Sequence, residues 1–194
     1  VTTGDQNTYI GHVAGLGSTA TGDDNTAVGN YALYAITSGS DNNALGSFAL
    51  AALTTGGENI SIGLNSSVAL TTGGRNIAVG AFSLDAAAHG ESSNIAIGHN
   101  AMTSAKENVP SSGANAHTVD NNIAIGTEAL LGGDLGTGTG VLTHDGNIAI
   151  GAYALDATDT HPHVGTIAIG KNALTAVTNG VNNVGVGYES LSSL

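Results

Sequence analysis

Apolar and polar positions alternate in short bursts along this chain, and each burst has nearly the same wording. The stretch "NIAIG" at 94–98 is typical: Ile95 and Ile97 share one side, Ala96 takes the other, and Gly98 closes the phrase. The same five-residue pattern begins at Asn7, Asn25, Asn42, Asn59, Asn76, Asn94, Asn122, Asn147, Thr166 and Asn183. A period of two over so few residues predicts a short β-strand with one buried face, and the Ile or Val pair is the natural candidate for that face.

The closing glycines fall at 11, 29, 46, 63, 80, 98, 126, 151, 170 and 187. The unit is therefore 17 residues, with an insertion after Gly98 and another after Gly126. After the glycine comes an Ala-Leu or Ser-Leu pair, as at Ala32-Leu33, Ala49-Leu50 and Ala173-Leu174. A further aliphatic often stands three residues on, as in Leu33/Ile36, Leu50/Leu53 and Leu174/Val177. That spacing suggests a single helical turn, with a second short strand as the alternative. Turn-forming "TSGS" and "TTGG" then reset the chain.

A five-residue strand has no stability alone. Stacked on its neighbours at ~4.8 Å it gains a backbone ladder and a continuous stripe. The expected fold is all-β: a parallel β-solenoid of about ten coils forming one repeat domain over 1–194, some 45–50 Å long by that spacing. The first residue of the phrase forms a column in which amides can bond from coil to coil. Its members are Asn7, Asn25, Asn42, Asn59, Asn76, Asn94, Asn122, Asn147 and Asn183. Thr166 alone breaks the column and marks an expected weak point.

Composition sharpens this picture. Charged residues make up 9% and aromatics 4%, with no Trp and 30 Gly. Ordinary domains carry ~25% charged residues. Such a chain cannot fill a round core, but it can fill a thin one. The Ala and Gly of the second strand face suggest packing on another protein surface, and three rods wound together would provide it. The expected partner is the chain itself, as a homotrimer.

The formal net charge is −12, with only Arg75, Lys106 and Lys171 positive. Displacing counterions from phosphates needs basic groups, so nucleic-acid binding is not expected, nor is attraction to an anionic bilayer. No apolar run approaches 18 residues, so membrane insertion is not expected. There is no Cys, hence no disulfide or thiolate chemistry. The chain begins at Val1 and reads as a processed protein or a piece of a longer one.

The repeats, with "NTAVGNYALYAITSG" at 25–39 the closest copy, resemble those of bacteriophage and phage-like tail-fibre proteins. "NIAVGAFSL" and "NIAIGHNAM" are also similar to the head repeats of trimeric autotransporter adhesins, although the unit here is longer. The resemblance implies trimerisation and attachment to a cell surface, by contact with a glycan or an outer-membrane component. It also implies an extracellular setting, on a virion or a bacterial surface.

No G-x-S-x-G, H-E-x-x-H or Walker loop is present, so catalysis is not expected. No cofactor is expected except, on one reading, a divalent metal. His89, His117 and His161 lie five residues before their phrases, and His144 and His163 three before theirs. Stacking would bring them to one edge near the turn, with Glu91, Asp120 and Asp145, as a metal-binding or pH-sensitive patch. The plainer reading is a polar turn column on a solvated surface. Asp24, Asp41, Glu58 and Arg75 form a second column, directly before the amide; its acids either hold calcium or splay into water.

The insertions, 103–121 and 131–146, are expected to form one bulge, the place to look for a receptor contact. Its candidate residues are Lys106, Glu107, His117, Asp134 and His144. Tyr31, Phe48, Phe82 and Tyr153 share one phase, two residues after the glycine, and read as a packing column. Two other functions leave a partial trace in the sequence. An ice- or lattice-binding solenoid would need a regular Thr column, and only Thr54-Thr55 and Thr71-Thr72 match. A polysaccharide-degrading tailspike would need a carboxylate pair, for which Asp156 and Asp159 are the candidates.

Overall fold

The computed structural model describes residues 4–17, 21–85, 90–103, 118–131, 143–156, 163–177 and 181–192. Among them there are thirteen short strands and no helix. In chain order these are β1 (Thr8–Ile10), β2 (Thr26–Val28), β3 (Asn43–Leu45), β4 (Ile60–Ile62), β5 (Ile77–Val79), β6 (Ile95–Ile97) and β7 (Thr118–Asp120). They continue as β8 (Ile123–Ile125), β9 (Thr143–Asp145), β10 (Ile148–Ile150), β11 (His163–Val164), β12 (Ile167–Ile169) and β13 (Val184–Val186).

The ten strands that carry the repeated phrase form one parallel sheet, in the order β1-β2-β3-β4-β5-β6-β8-β10-β12-β13. Register is constant: Ile77 faces Ile95, Ile95 faces Ile123, and Ile123 faces Ile148. The fold is thus a β-solenoid, numbered here as coils 1–10 after its ten phrases. A second parallel sheet, β11-β9-β7, occupies residues 118–120 and 143–145, the ends of the two stretches expected to be insertion loops, together with His163 and Val164.

The sheet faces the other way from the sequence expectation. The middle residue of each strand is inside: Ala27, Ala78, Ala96, Ala124, Ala149 and Ala168 are all fully buried. The flanking Ile and Val residues, Ile95 and Ile97 among them, point out. The physical reason is the return stroke of each coil. Leu33, Leu50, Leu84, Met102, Leu155 and Leu174 come back beneath the sheet and are fully buried, and between them and the strand there is room only for a methyl group. Coil 1 reverses the arrangement. Tyr9 replaces the Ala and Gly15 replaces the Leu, and a Cβ on Gly15 would sit 2.5 Å from the Tyr9 ring.

That return stroke is not a helical turn. Residues two and four after the closing glycine take left-handed φ, for example Tyr31 at 57° and Leu33 at 50°. Its backbone bonds run mainly between coils, as from Tyr31 N–H to His12 O at 3.0 Å and from Leu33 N–H to Ala49 O at 3.0 Å. The Leu/Ile pairs three apart meet inside a turn, so their spacing imitated a helix. The closing glycine is required twice over. Gly80 has φ +135°, and a Cβ there would lie 2.4 Å from the Gly98 carbonyl of the next coil.

Candidate interaction surface

The first residues of the phrase hold the surface in place. From Asn25 to Asn147 each ladder amide Nδ2 donates to the Oδ1 of the preceding coil's Asn at 2.9–3.2 Å. The same Oδ1 also accepts the next coil's backbone N–H, as from Asn94 to Asn76 at 3.0 Å. The second Nδ2 proton reaches a carbonyl three residues before the next phrase, as from Asn59 to Gly73 O and from Asn122 to His144 O. Each buried amide therefore has its donors and acceptor engaged, which buried polar groups require. At Thr166 the file changes. Its N–H still donates to Asn147 Oδ1, but its Oγ is buried without a partner. Asn183 follows in a half-buried position.

On this frame the outer sheet face presents two parallel columns. One runs Ile10, Val28, Leu45, Ile62, Val79, Ile97, Ile125, Ile150, Ile169, Val186. The other runs Thr8, Thr26, Asn43, then Ile60, Ile77, Ile95, Ile123, Ile148, Ile167, Val184. Exposure is 37% at Ile97 and 36% at Ile150 in the middle of the sheet, rising to 65% at Val186. The face as a whole exposes on the order of 1,000 Å² of apolar surface, above the ~300–600 Å² of the largest patch on a typical monomer.

Sequence reasoning missed this face by choosing the wrong parity. A usable signal was present: the first outward position accepts Thr8, Thr26 and Asn43, which a core stripe would not, while the middle position is small in every coil but the first.

The histidines divide. His89, His117 and His161 lie outside the described residues. His144 and His163 do not edge the surface but point into the core, 4% and 0% exposed, on β9 and β11 in register. Their ring centroids are 5.6 Å apart with planes tilted by 49°. An inward side chain replaces glycine at this position of the coil, which is why the azimuth read as a polar turn is interior here. His144 is accordingly not placed to touch a receptor. Lys106, Glu107 and Asp134 lie outside the described residues. Among the described residues no group of three or more His, Cys, Asp or Glu is arranged to hold a metal ion. Nor is any described helix long and apolar enough to cross a membrane.

The acid column is exposed at Asp24, Asp41 and Glu58, and each of these residues, like Arg75, has left-handed φ of 56–61°. One residue earlier stands a set the sequence did not reveal. Asp23 Oδ1 accepts the Asp5 N–H at 2.7 Å, and Asp120 Oδ1 accepts the Ser92 N–H at 2.7 Å. These side chains cap the backbone of the preceding coil. Of the aromatic column, Tyr31 and Phe48 stack, 5.0 Å apart and nearly parallel at 6°, whereas Phe82 meets His99 edge-on at 6.0 Å. The Thr37 and Thr54 hydroxyls donate to the next coil's Thr54 and Thr71 carbonyls at 2.9 Å, which removes them from a water-ordering lattice. Asp156 is half-buried, and burial pushes its carboxyl above the ordinary range, with nearby Glu128 adding to the effect. Asp159 lies outside the described residues.

No family model, no curated protein and no solved structure matches this chain.

Proposed function

We propose that this chain is a structural, receptor-attaching segment of a fibre built from several parallel copies, three in the simplest arrangement, as in a phage tail fibre or a bacterial surface adhesin. The observation that carries the reading is the outer face of the ten-stranded sheet. A stiff rod with an unbroken aliphatic stripe suits burial against copies of itself, and a standard interface takes ~800 Å² from each partner. The mechanism is multivalent: rods fixed side by side hold repeated weak contacts at set spacing, and linked weak contacts gain avidity. The two insertions are the segments assigned to the receptor, an extracellular glycan or outer-membrane component. The net charge of −12 argues against a polyanionic partner.

Sedimentation equilibrium tests the assembly. A mass near three times 18.9 kDa is expected, and a stable monomer at micromolar concentration removes the reading. Attachment is tested by binding of labelled protein to bacterial cells, comparing the whole chain with a variant in which residues 132–142 are replaced by a short TTGG turn. Equal binding by the two would remove that insertion from the receptor contact.

A further inference from the structure

The outer face is not uniform, and its change in character falls at one place. In coils 1–3 the first outward column is polar: Thr8, Thr26 and Asn43. From Ile60 onward it is aliphatic in every coil to Val184. Two residues before that column, on the same margin of the sheet, stand the exposed Asp24 and Asp41, with exposed Asp5 and Asp23 beside them. No Lys or Arg occurs before Arg75. The first outward column thus loses its apolar residues in the same three coils where exposed Asp5, Asp23, Asp24 and Asp41 gather without a basic residue; Glu58 carries the acid column one coil further, and Arg75 ends it.

We propose that copies of this chain, in the assembly inferred above, meet along coils 4–10 in parallel register and stand apart over coils 1–3. This deepens the fibre reading and rests on it. The occupant of the face is another copy of the chain for three reasons. Coils 4–10 alone expose on the order of 800 Å² of apolar side chain, the share one partner contributes to a standard interface. Parallel register places aliphatic columns opposite aliphatic columns over all seven coils. An antiparallel partner would set Thr8, Thr26 and Asn43 against Val184, Ile167 and Ile148, leaving aliphatic groups facing polar ones at both ends. Over coils 1–3 a parallel contact would press acid columns of like sign together without a counter-charge, which is unfavourable.

The chain has no native Cys, so single cysteines report the contact cleanly. Parallel register sets each outward residue near its own counterpart. Ile62→Cys (coil 4) and Ile169→Cys (coil 9) should oxidise to covalent dimers, and Asn43→Cys (coil 3) should do so at least tenfold more slowly. That antiparallel contact would pair coil 9 with coil 2, so oligomers in which Ile169→Cys fails to cross-link overturn the register. Oligomers in which Asn43→Cys cross-links as fast as Ile62→Cys overturn the separation of coils 1–3. Both results leave the fibre reading standing, whereas a monomeric native chain removes it and this inference together. As an independent readout, Ile150→Asp should lower the sedimenting mass and Thr26→Asp should not; equal effects also overturn the proposal.

Discussion

Coils 2–4 and coils 6–8 fill the same interior volume from opposite ends of the turn. In the first group Ile36, Leu53 and Leu70 are fully buried, and each is followed three residues later by Gly39, Gly56 or Gly73. The two members of each pair exclude one another's bulk. A Cβ on Gly56 would lie 2.7 Å from Leu53 Cδ1 and 2.1 Å from the Gly73 carbonyl. In the second group the sequence has Ala105, Gly133 and Thr158 where the aliphatic stood, and Val119, His144 and His163 where the glycine stood. Those three side chains are buried, and their backbones pair as the second sheet, β7, β9 and β11. Coil 5 makes the same exchange with Ala87 and Glu91, and Val177 with Gly180 returns to the first arrangement. A solenoid therefore constrains the volume of each layer more tightly than the position that supplies it.

The strongest way to break this comparison is to move one arrangement into the other's place. Gly56→His alone should cost about 3 kcal/mol, because the new side chain meets Leu53 and the neighbouring backbone. Leu53→Thr alone should cost about 2–4 kcal/mol through the space it empties. Together they copy coil 8, and their combined cost should fall short of the sum by about 1–2 kcal/mol. Denaturant unfolding of the four proteins of this cycle measures the coupling. Strict additivity would show the two positions to be independent and the exchange to be coincidence.

The exchange also shows where the sequence was readable. The 17-residue period gave parallel stacking, because only stacked strands reward so constant a phrase. Once the strands stack, the amides must stand in file; where their second proton goes is invisible, since its acceptor belongs to another coil's turn. The parity of the strand was misread because "NIAIG" announces two faces without naming the inner one. That choice rests on the space left by Leu33 and its equivalents, whose left-handed backbone disguised a return stroke as a helical turn. His144 and His163 were misplaced for a related reason. Glycine holds their azimuth in coils 2–4, and a column that is glycine in one half and histidine in the other looks like a surface turn. The paired use of Leu+3 and the residue three before the phrase was present in the letters. It reads as signal only when the two positions are known to share a cavity.

A second contrast between the halves lies in the amide file itself. Coils 2–8 carry Asn there, and coil 9 carries Thr166 with its hydroxyl buried and unpartnered. Thr166→Asn gives Asn147 Oδ1 a second donor and removes the orphan oxygen. It should stabilise the chain by about 1–2 kcal/mol, the size of a buried hydrogen bond restored. Hydrogen exchange should slow chiefly in β12 and β13. If stability is unchanged, the file contributes nothing locally at coil 9, and the C-terminal half is held by packing alone.

The residue before the phrase provides a smaller test. All ten coils hold it at left-handed φ, from 56° to 67°, but coils 8 and 9 use Gly146 and Gly165 whereas coils 4 and 5 use Glu58 and Arg75. A non-glycine residue with a Cβ is strained there. Arg75→Gly should therefore stabilise by about 0.5–1 kcal/mol, the strain relieved outweighing the added freedom of the unfolded chain. The same change at Ser93 should act alike. A loss of stability at Arg75 would mean that its charge, beside Glu58, matters more than its backbone.

The smallest effect concerns charge within the second group. Asp156 stands five residues after its glycine, where coils 2–4 place Tyr34, Ala51 and Val68. Burial raises its carboxyl above the ordinary 3.8, its own backbone bond opposes this, and Glu128 raises it further. The folded chain then binds the proton more tightly than the unfolded one. Stability from this group is present below the ordinary value and is lost as pH rises through the raised one. Asp156→Asn should accordingly raise the melting temperature slightly at pH 7 and leave it unchanged near pH 3, where the native carboxyl is already neutral. Solvent reaches much of the side chain, so the gain stays small. An equal gain at both pH values would assign it to the amide's contacts and not to the removed charge. The second half of the solenoid would then tolerate a carboxylate at this position as easily as the first half does its uncharged residues.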